Sequence, residues 1–184
     1  MASLSKTLLP LCASLTLSCT TGFGVPYVDT ETGSGSGGSG GESGLVMVDG
    51  GNQFGECTGA CRFAVTFQPS ALQLVVSDYG GSQDIAVNYG SLTDAGQAAL
   101  AALDEGLASS TLQDIYGCPD CDDGGASWLR LSRVGSTTDH QYETGNPPPE
   151  LLQYDAFLQD VLVALRTCTD SANVIPDADC EIVP

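Results

Sequence analysis

Cys118-Pro119-Asp120-Cys121 is the stretch whose residue types and spacing most directly offer chemistry. Two cysteines separated by two residues can cycle between dithiol and disulfide, hold a metal, or lock into a structural bridge. Redox cycling calls for the first thiol at a helix N-terminus, where the dipole lowers its pKa. Here the motif follows a helical pattern and precedes a strand. A second close pair, Cys57 and Cys61, could complete a four-thiolate zinc site. Cys168 and Cys180 are the last two of the eight cysteines, and with Cys12 and Cys19 set apart near the start an even number remains. An even count in an exported domain argues for structural disulfides, with no connectivity chosen by sequence alone. Local pairing is preferred (Cys57 with Cys61, Cys118 with Cys121, Cys168 with Cys180), although the first two pairs could equally cross-link.

Asp120, Asp122 and Asp123, followed by Gly124-Gly125, place three carboxylates in one turn and suit the oxygen preference of calcium. The EF-hand register fails, because Gly124 stands where a third ligand is needed and no Glu closes the loop. Asp and Gly in such a run more often build turns and caps. His140 is the only histidine, and no cysteine or serine is set beside it by any motif, so it is expected on the surface of a strand and not as a general base. Gly33, Gly35 and Gly38 fit a dinucleotide pattern, and Gly37 to Gly41 a nucleophile elbow. Neither has the strand before and helix after that the chemistry needs. No catalytic residue and no cofactor is therefore assigned.

Which of the cysteine readings applies depends on compartment. Met1 to Ser18 carries one charge, Lys6, then a largely apolar run from Thr7 to Leu17 and a small residue before Cys19. That is the order of a secretory signal. The run is shorter than the ~20 residues a spanning helix needs. Leu15-Thr16-Leu17-Ser18-Cys19 resembles the lipobox of bacterial lipoproteins, with Thr16 where Leu is favoured. The resemblance implies that Cys19 is lipidated and becomes the first mature residue, held stably by more than one palmitate-type chain. Thr20 after the cysteine is compatible with the outer membrane. The expected organisation is a signal peptide over 1–18, a lipidated start and glycine-serine tether over 19–44, and one domain over 45–184.

The formal net charge is −18, and loss of Lys6 with the leader leaves four arginines against 23 acidic residues. Such a polyanion repels phosphate backbones, which excludes nucleic acid as a partner. The partners that remain are the membrane, through the N-terminal lipid, and an envelope or extracellular partner of basic or cationic character.

The elements that must position these residues follow from periodicity. Cys61 to Gln68 alternates Phe63, Val65 and Phe67 with Arg62, Ala64 and Thr66, which predicts a half-buried strand stopped by Pro69. Leu72 to Ser77 and Asp84 to Tyr89 predict two more, joined by a turn at Ser77 to Ser82. Thr93 or Asp94 can cap a helix over 95–108 with Ala99, Leu100, Leu103 and Leu107 on one face. Trp128 to Val134 predicts a strand with Leu129 and Leu131 on one side and Trp128, Arg130 and Ser132 on the other. Asp139 to Thr144 predicts its partner across Gly135 to Thr138. Pro147-Pro148-Pro149 precede a helix from Glu150, whose apolar stripe runs from Leu151 to Leu165. Cys168 to Pro184 is an acidic tail tied back through its cysteines. The order β-β-β-α-β-β-α predicts an α+β fold, a mostly antiparallel sheet with two amphipathic helices packed on it, stapled by disulfides.

Tyr116-Gly117-Cys118-Pro119-Asp120-Cys121-Asp122-Asp123-Gly124-Gly125-Ala126, then Trp128, then Tyr142-Glu143-Thr144-Gly145-Asn146-Pro147-Pro148-Pro149 leading into a leucine-rich helix, resemble envelope lipoprotein domains of myxobacterial type. The likeness spans roughly Cys57 to Arg166. Those domains have no assigned activity, so it implies fold and compartment alone. The function expected is that of a membrane-anchored envelope lipoprotein with a non-enzymatic binding or scaffolding domain. The alternatives are a thiol-disulfide oxidoreductase using Cys118 and Cys121, and a calcium-binding adhesion or sensing module using Asp120, Asp122 and Asp123.

Overall fold

A computed structural model describes residues 45–68, 71–119, 121 and 124–183. Cys19, the leader, the tether and the three aspartates of the calcium candidate lie outside the described residues. In chain order the elements are β1 (Leu45–Gln53), β2 (Arg62–Phe67), β3 (Leu72–Ser77), β4 (Asp84–Leu92), α1 (Asp94–Ala108), β5 (Ile115–Tyr116), β6 (Ala126–Arg133), β7 (Ser136–Glu143), α2 (Leu152–Thr167) and β8 (Val174–Pro176). The strands form one sheet in the order β5-β7-β6-β1-β2-β3-β4-β8. Every neighbouring pair is antiparallel except β5 with β7. The fold is therefore α+β with a mostly antiparallel sheet and two helices, as the sequence predicts.

Alternation at a period of two makes each strand present one face to the core. Phe63, Val65 and Phe67 of β2 are buried, as are Leu72, Leu74 and Val76 of β3 and Leu129 and Leu131 of β6. Helix α2 lies on that face: Phe157 stacks on Phe67 with ring centroids 5.7 Å apart, and Leu158, Val161 and Leu165, with Leu151 just before the helix, are fully buried. Each such side chain removed from water contributes on the order of 1.5–3 kcal/mol, which makes this stripe the main glue between helix and sheet. Helix α1 begins at Thr93, whose hydroxyl accepts from the Gly96 amide at 3.0 Å and satisfies one of its orphan donors. It packs on the same side, burying Leu103 and Leu107, and Asp104 pairs with Arg133 at 2.9 Å. Arg133, which interrupts the apolar face of β6, thus finds its counter-charge on a helix.

Three strands escape the sequence reading: β1, β5 and β8. The first matters most, because it lies at the centre of the sheet between β2 and β6. Its Asp49-Gly50-Gly51 reads locally as a turn. Tertiary packing overrides that signal, since a Cβ at Gly50 would fall on the Tyr154 hydroxyl and one at Gly51 on the Phe63 carbonyl oxygen. The hairpin between β6 and β7 is also tighter than expected, turning at Val134-Gly135 with Gly135 at φ 80°. β5 and β8 have two and three residues, so both edges of the sheet are short. Short edges blunt the tendency of exposed strands to pair with other chains.

Candidate binding cleft on the helix-free sheet face

The six domain cysteines pair locally: Cys57 with Cys61, Cys118 with Cys121 and Cys168 with Cys180, at Cα separations of 5.5, 5.4 and 5.7 Å. These separations suit disulfides. Neither cross-linking of the first two pairs nor the four-thiolate zinc arrangement is formed. Cys118 lies between β5 and β6 and not at the start of α1 or α2, so it lacks the α-helix terminus that activates a thioredoxin-type thiol. Among the described residues, no group of three His, Cys, Asp or Glu side chains is placed to hold a metal ion.

His140 is buried, contrary to the surface position expected for it, with only 4% of its surface exposed. Its Nδ1 is 2.8 Å from the Gln113 carbonyl and its Nε2 3.0 Å from the Thr138 hydroxyl, so both ring nitrogens are engaged in tying the α1–β5 connection to β7. The expectation failed because Leu129, opposite His140 across the β6–β7 ladder, belongs to the core face.

A second polar set is also structural. The Tyr142 hydroxyl donates to Asp155 at 2.8 Å, Gln159 donates to the same carboxylate at 3.4 Å, Asn52 donates to Gln159 at 3.5 Å, and Ser127 donates to Asn52 at 2.9 Å. This chain runs from β7 through α2 to β1 and β6. Burial, with Tyr154 and the Asp155 carboxylate close by, holds the Tyr142 phenol far above its ordinary pKa, and burial does the same to Tyr154. Both remain protonated donors at any physiological pH.

The other face of the sheet carries no helix among the described residues. Register sets its content. Gln141, Trp128, Gly51, Ala64, Val75 and Val87 stand opposite one another across β7, β6, β1, β2, β3 and β4, forming a largely apolar row. Polar rows flank it, one running through Asp139, Arg130, Asp49, Thr66 and Gln73 to Tyr89 and the other through Gln53, Arg62 and Ser77. On β4 the apolar side chains are left open, with Ile85 48%, Val87 39% and Tyr89 47% exposed.

At one end of this face two clefts adjoin. One, of about 210 Å³, is lined by Gln53, Arg62, Trp128, Arg130, Asp139 and Gln141; the other, of about 240 Å³, shares Gln53 and Arg62 and adds Phe54, Asp78, Tyr79 and Gly80. Arg62 lies over the Trp128 ring, 5.4 Å from its centroid. Arg130 pairs with Asp139 at 2.6 Å, which holds its proton still more firmly than usual. The walls are pinned. Cys57–Cys61 closes the β1–β2 loop, where the Phe54 amide donates to the Cys61 carbonyl at 2.9 Å. Asp78 accepts from the Gln83 amide at 2.9 Å and the Ser82 hydroxyl at 2.8 Å, bonds that lower its pKa and fix the turn holding Gly80 and Gly81 at φ 81° and 67°. Alternation places Arg62 and Trp128 on strands but carries no sign that the two meet. The signal was there in part: both fall on the polar face of an alternating strand, where a Trp is out of place.

The chain matches no protein-family model, no curated protein and no solved structure. The fold and the cleft thus define its class by themselves: a disulfide-stapled α+β domain with one sheet face free of helices among the described residues.

Proposed function

We propose that this chain is an envelope lipoprotein, exported and anchored through lipid on Cys19, whose domain binds a ligand through the helix-free face of its sheet and is not an enzyme. The observation that carries the reading is that face itself. An apolar row is framed by polar rows, and at one end Arg62 and Trp128 converge on a cleft whose walls two tight loops hold in place. Preformed walls lower the ordering cost of association, so such a site favours binding. The lipobox-like Leu15 to Cys19 and the fully paired domain cysteines support an oxidising compartment outside the cytoplasm.

Two measurements on the full chain test this. A palmitate analogue fed to expressing cells should label the protein and bring it to the membrane fraction, and Cys19→Ser should abolish both. Val75→Lys, which puts a charge in the middle of the apolar row, should reduce binding to isolated envelope fragments without lowering the melting temperature. Wild-type binding by a Val75→Lys protein would place the interaction elsewhere.

A further inference from the structure

Arg62 is unusual in so acidic a chain. Arg130 and Arg133 each have a carboxylate partner, at 2.6 and 2.9 Å, whereas Arg62 has none among the described residues and lies over an indole ring. Its Nε is buried with no acceptor among the described residues, and so is the indole Nε1 of Trp128 beside it. Native structures keep few buried donors in that state, and each one that is kept calls for an explanation. Arg166 also has an unpaired Nε, but its guanidinium lies on Phe63 in the helix layer, away from this face.

The surroundings restrict what could complete the pair. A cation would meet Arg62 and Arg130. An anion would suit Arg62 but approach Asp49, Asp78 and Asp139 in a chain of net charge −18. A neutral ligand rich in hydroxyl groups meets neither obstacle, since each hydroxyl both accepts and donates. Its oxygens can accept from Arg62, Trp128 and the amides of Gln53 and Gln141, its hydroxyl protons can go to Asp139, and the apolar face of its ring can lie on the indole. Each cleft is smaller than the ~300–1,000 Å³ of sites for drug-sized ligands, which suits one ring apiece.

We propose that the two adjoining clefts bind consecutive rings of a neutral saccharide, with Arg62 at the junction turning outward to present its fork and uncover the Trp128 N–H. This deepens the reading of the helix-free face as the binding surface and rests on it.

Trp128 is the only tryptophan, so its emission reports on the site directly. The full lipoprotein, in a detergent without sugar headgroups, would be titrated with neutral cello-, xylo-, manno- and chito-oligosaccharides, with uronate oligomers and with acetylated dipeptides. At least one neutral oligosaccharide should change the emission saturably. Arg62→Lys, which keeps the charge but loses Nε and the planar fork, should raise Kd at least tenfold, as should Gln141→Ala, with melting temperatures confirming that both variants fold. Silence towards every neutral oligosaccharide, or binding indifferent to both substitutions, overturns the proposal. If only a uronate or a peptide produces an Arg62-dependent change, the neutral-saccharide assignment falls and the binding face stands. If no probe binds and Val75→Lys also leaves envelope binding intact, both fall.

Discussion

The Tyr154 hydroxyl occupies the space a Cβ on Gly50 would fill. The same hydroxyl donates to the Trp128 carbonyl of β6 at 3.4 Å, so one side chain from α2 seats against both β1 and β6, which are neighbours in the sheet. Gly50→Ala should cost about 1–3 kcal/mol by overpacking. Tyr154→Phe should relieve much of that loss when combined with it, giving strongly non-additive free energies in chemical denaturation. Additive effects would contradict the contact.

The disulfide between Cys168 and Cys180 spans a sequence separation of 12, against 4 for Cys57 with Cys61. It also anchors Cys168 at the left-handed end of α2, φ 52°, where a non-glycine residue is costly. Replacing both Cys168 and Cys180 by serine should lower stability by about 3 kcal/mol, read as a fall in melting temperature under non-reducing conditions, and by more than replacing the shorter pair. An unchanged melting curve would show that the tail is held by packing alone.

Alkaline pH should destabilise the fold through Tyr142 and Tyr154. Their folded pKa values are raised, so stability is complete below the unfolded tyrosine pKa of about 10 and is lost as pH climbs above it, when only the unfolded chain releases the protons. The melting temperature should hold to near pH 10 and then fall, and Tyr142→Phe should flatten the descent. A melting temperature constant through pH 11 would contradict the burial of these phenols.

Arg62 and Trp128 should be dispensable for stability. Arg62→Met keeps an unbranched apolar stem over the indole and removes a buried unpaired donor, so the protein should melt at the same temperature or higher, by at most ~1 kcal/mol. Arg133→Met, which removes the guanidinium that Asp104 pairs with at 2.9 Å, should be destabilising. If Arg62→Met were the more damaging, Arg62 would have a structural role.

Much of this fold was legible because its signals are local. The alternation of Phe63, Val65 and Phe67, the capping hydroxyl of Thr93 and the leucine stripe of α2 each fix an element within a few residues. What was not legible depended on distant partners. Gly50 and Gly51 read as a turn until Tyr154 and Phe63 come near, β5 exists only because β7 runs beside it, and β8 only because β4 does. His140 looked exposed because its strand is polar, and its burial is set by Leu129 across the ladder. The cleft was hidden for the same reason: Arg62 and Trp128 meet through β1, which lies between their strands.

Intact-mass spectrometry of the protein purified from membranes without reductant is the most direct test, because one spectrum reads processing, lipidation and oxidation together. The proposed account predicts a chain beginning at Cys19, heavier by its acyl groups and lighter by the six hydrogens of three disulfides. A mass for the unprocessed chain from Met1, with no lipid and its thiols reduced, would contradict it.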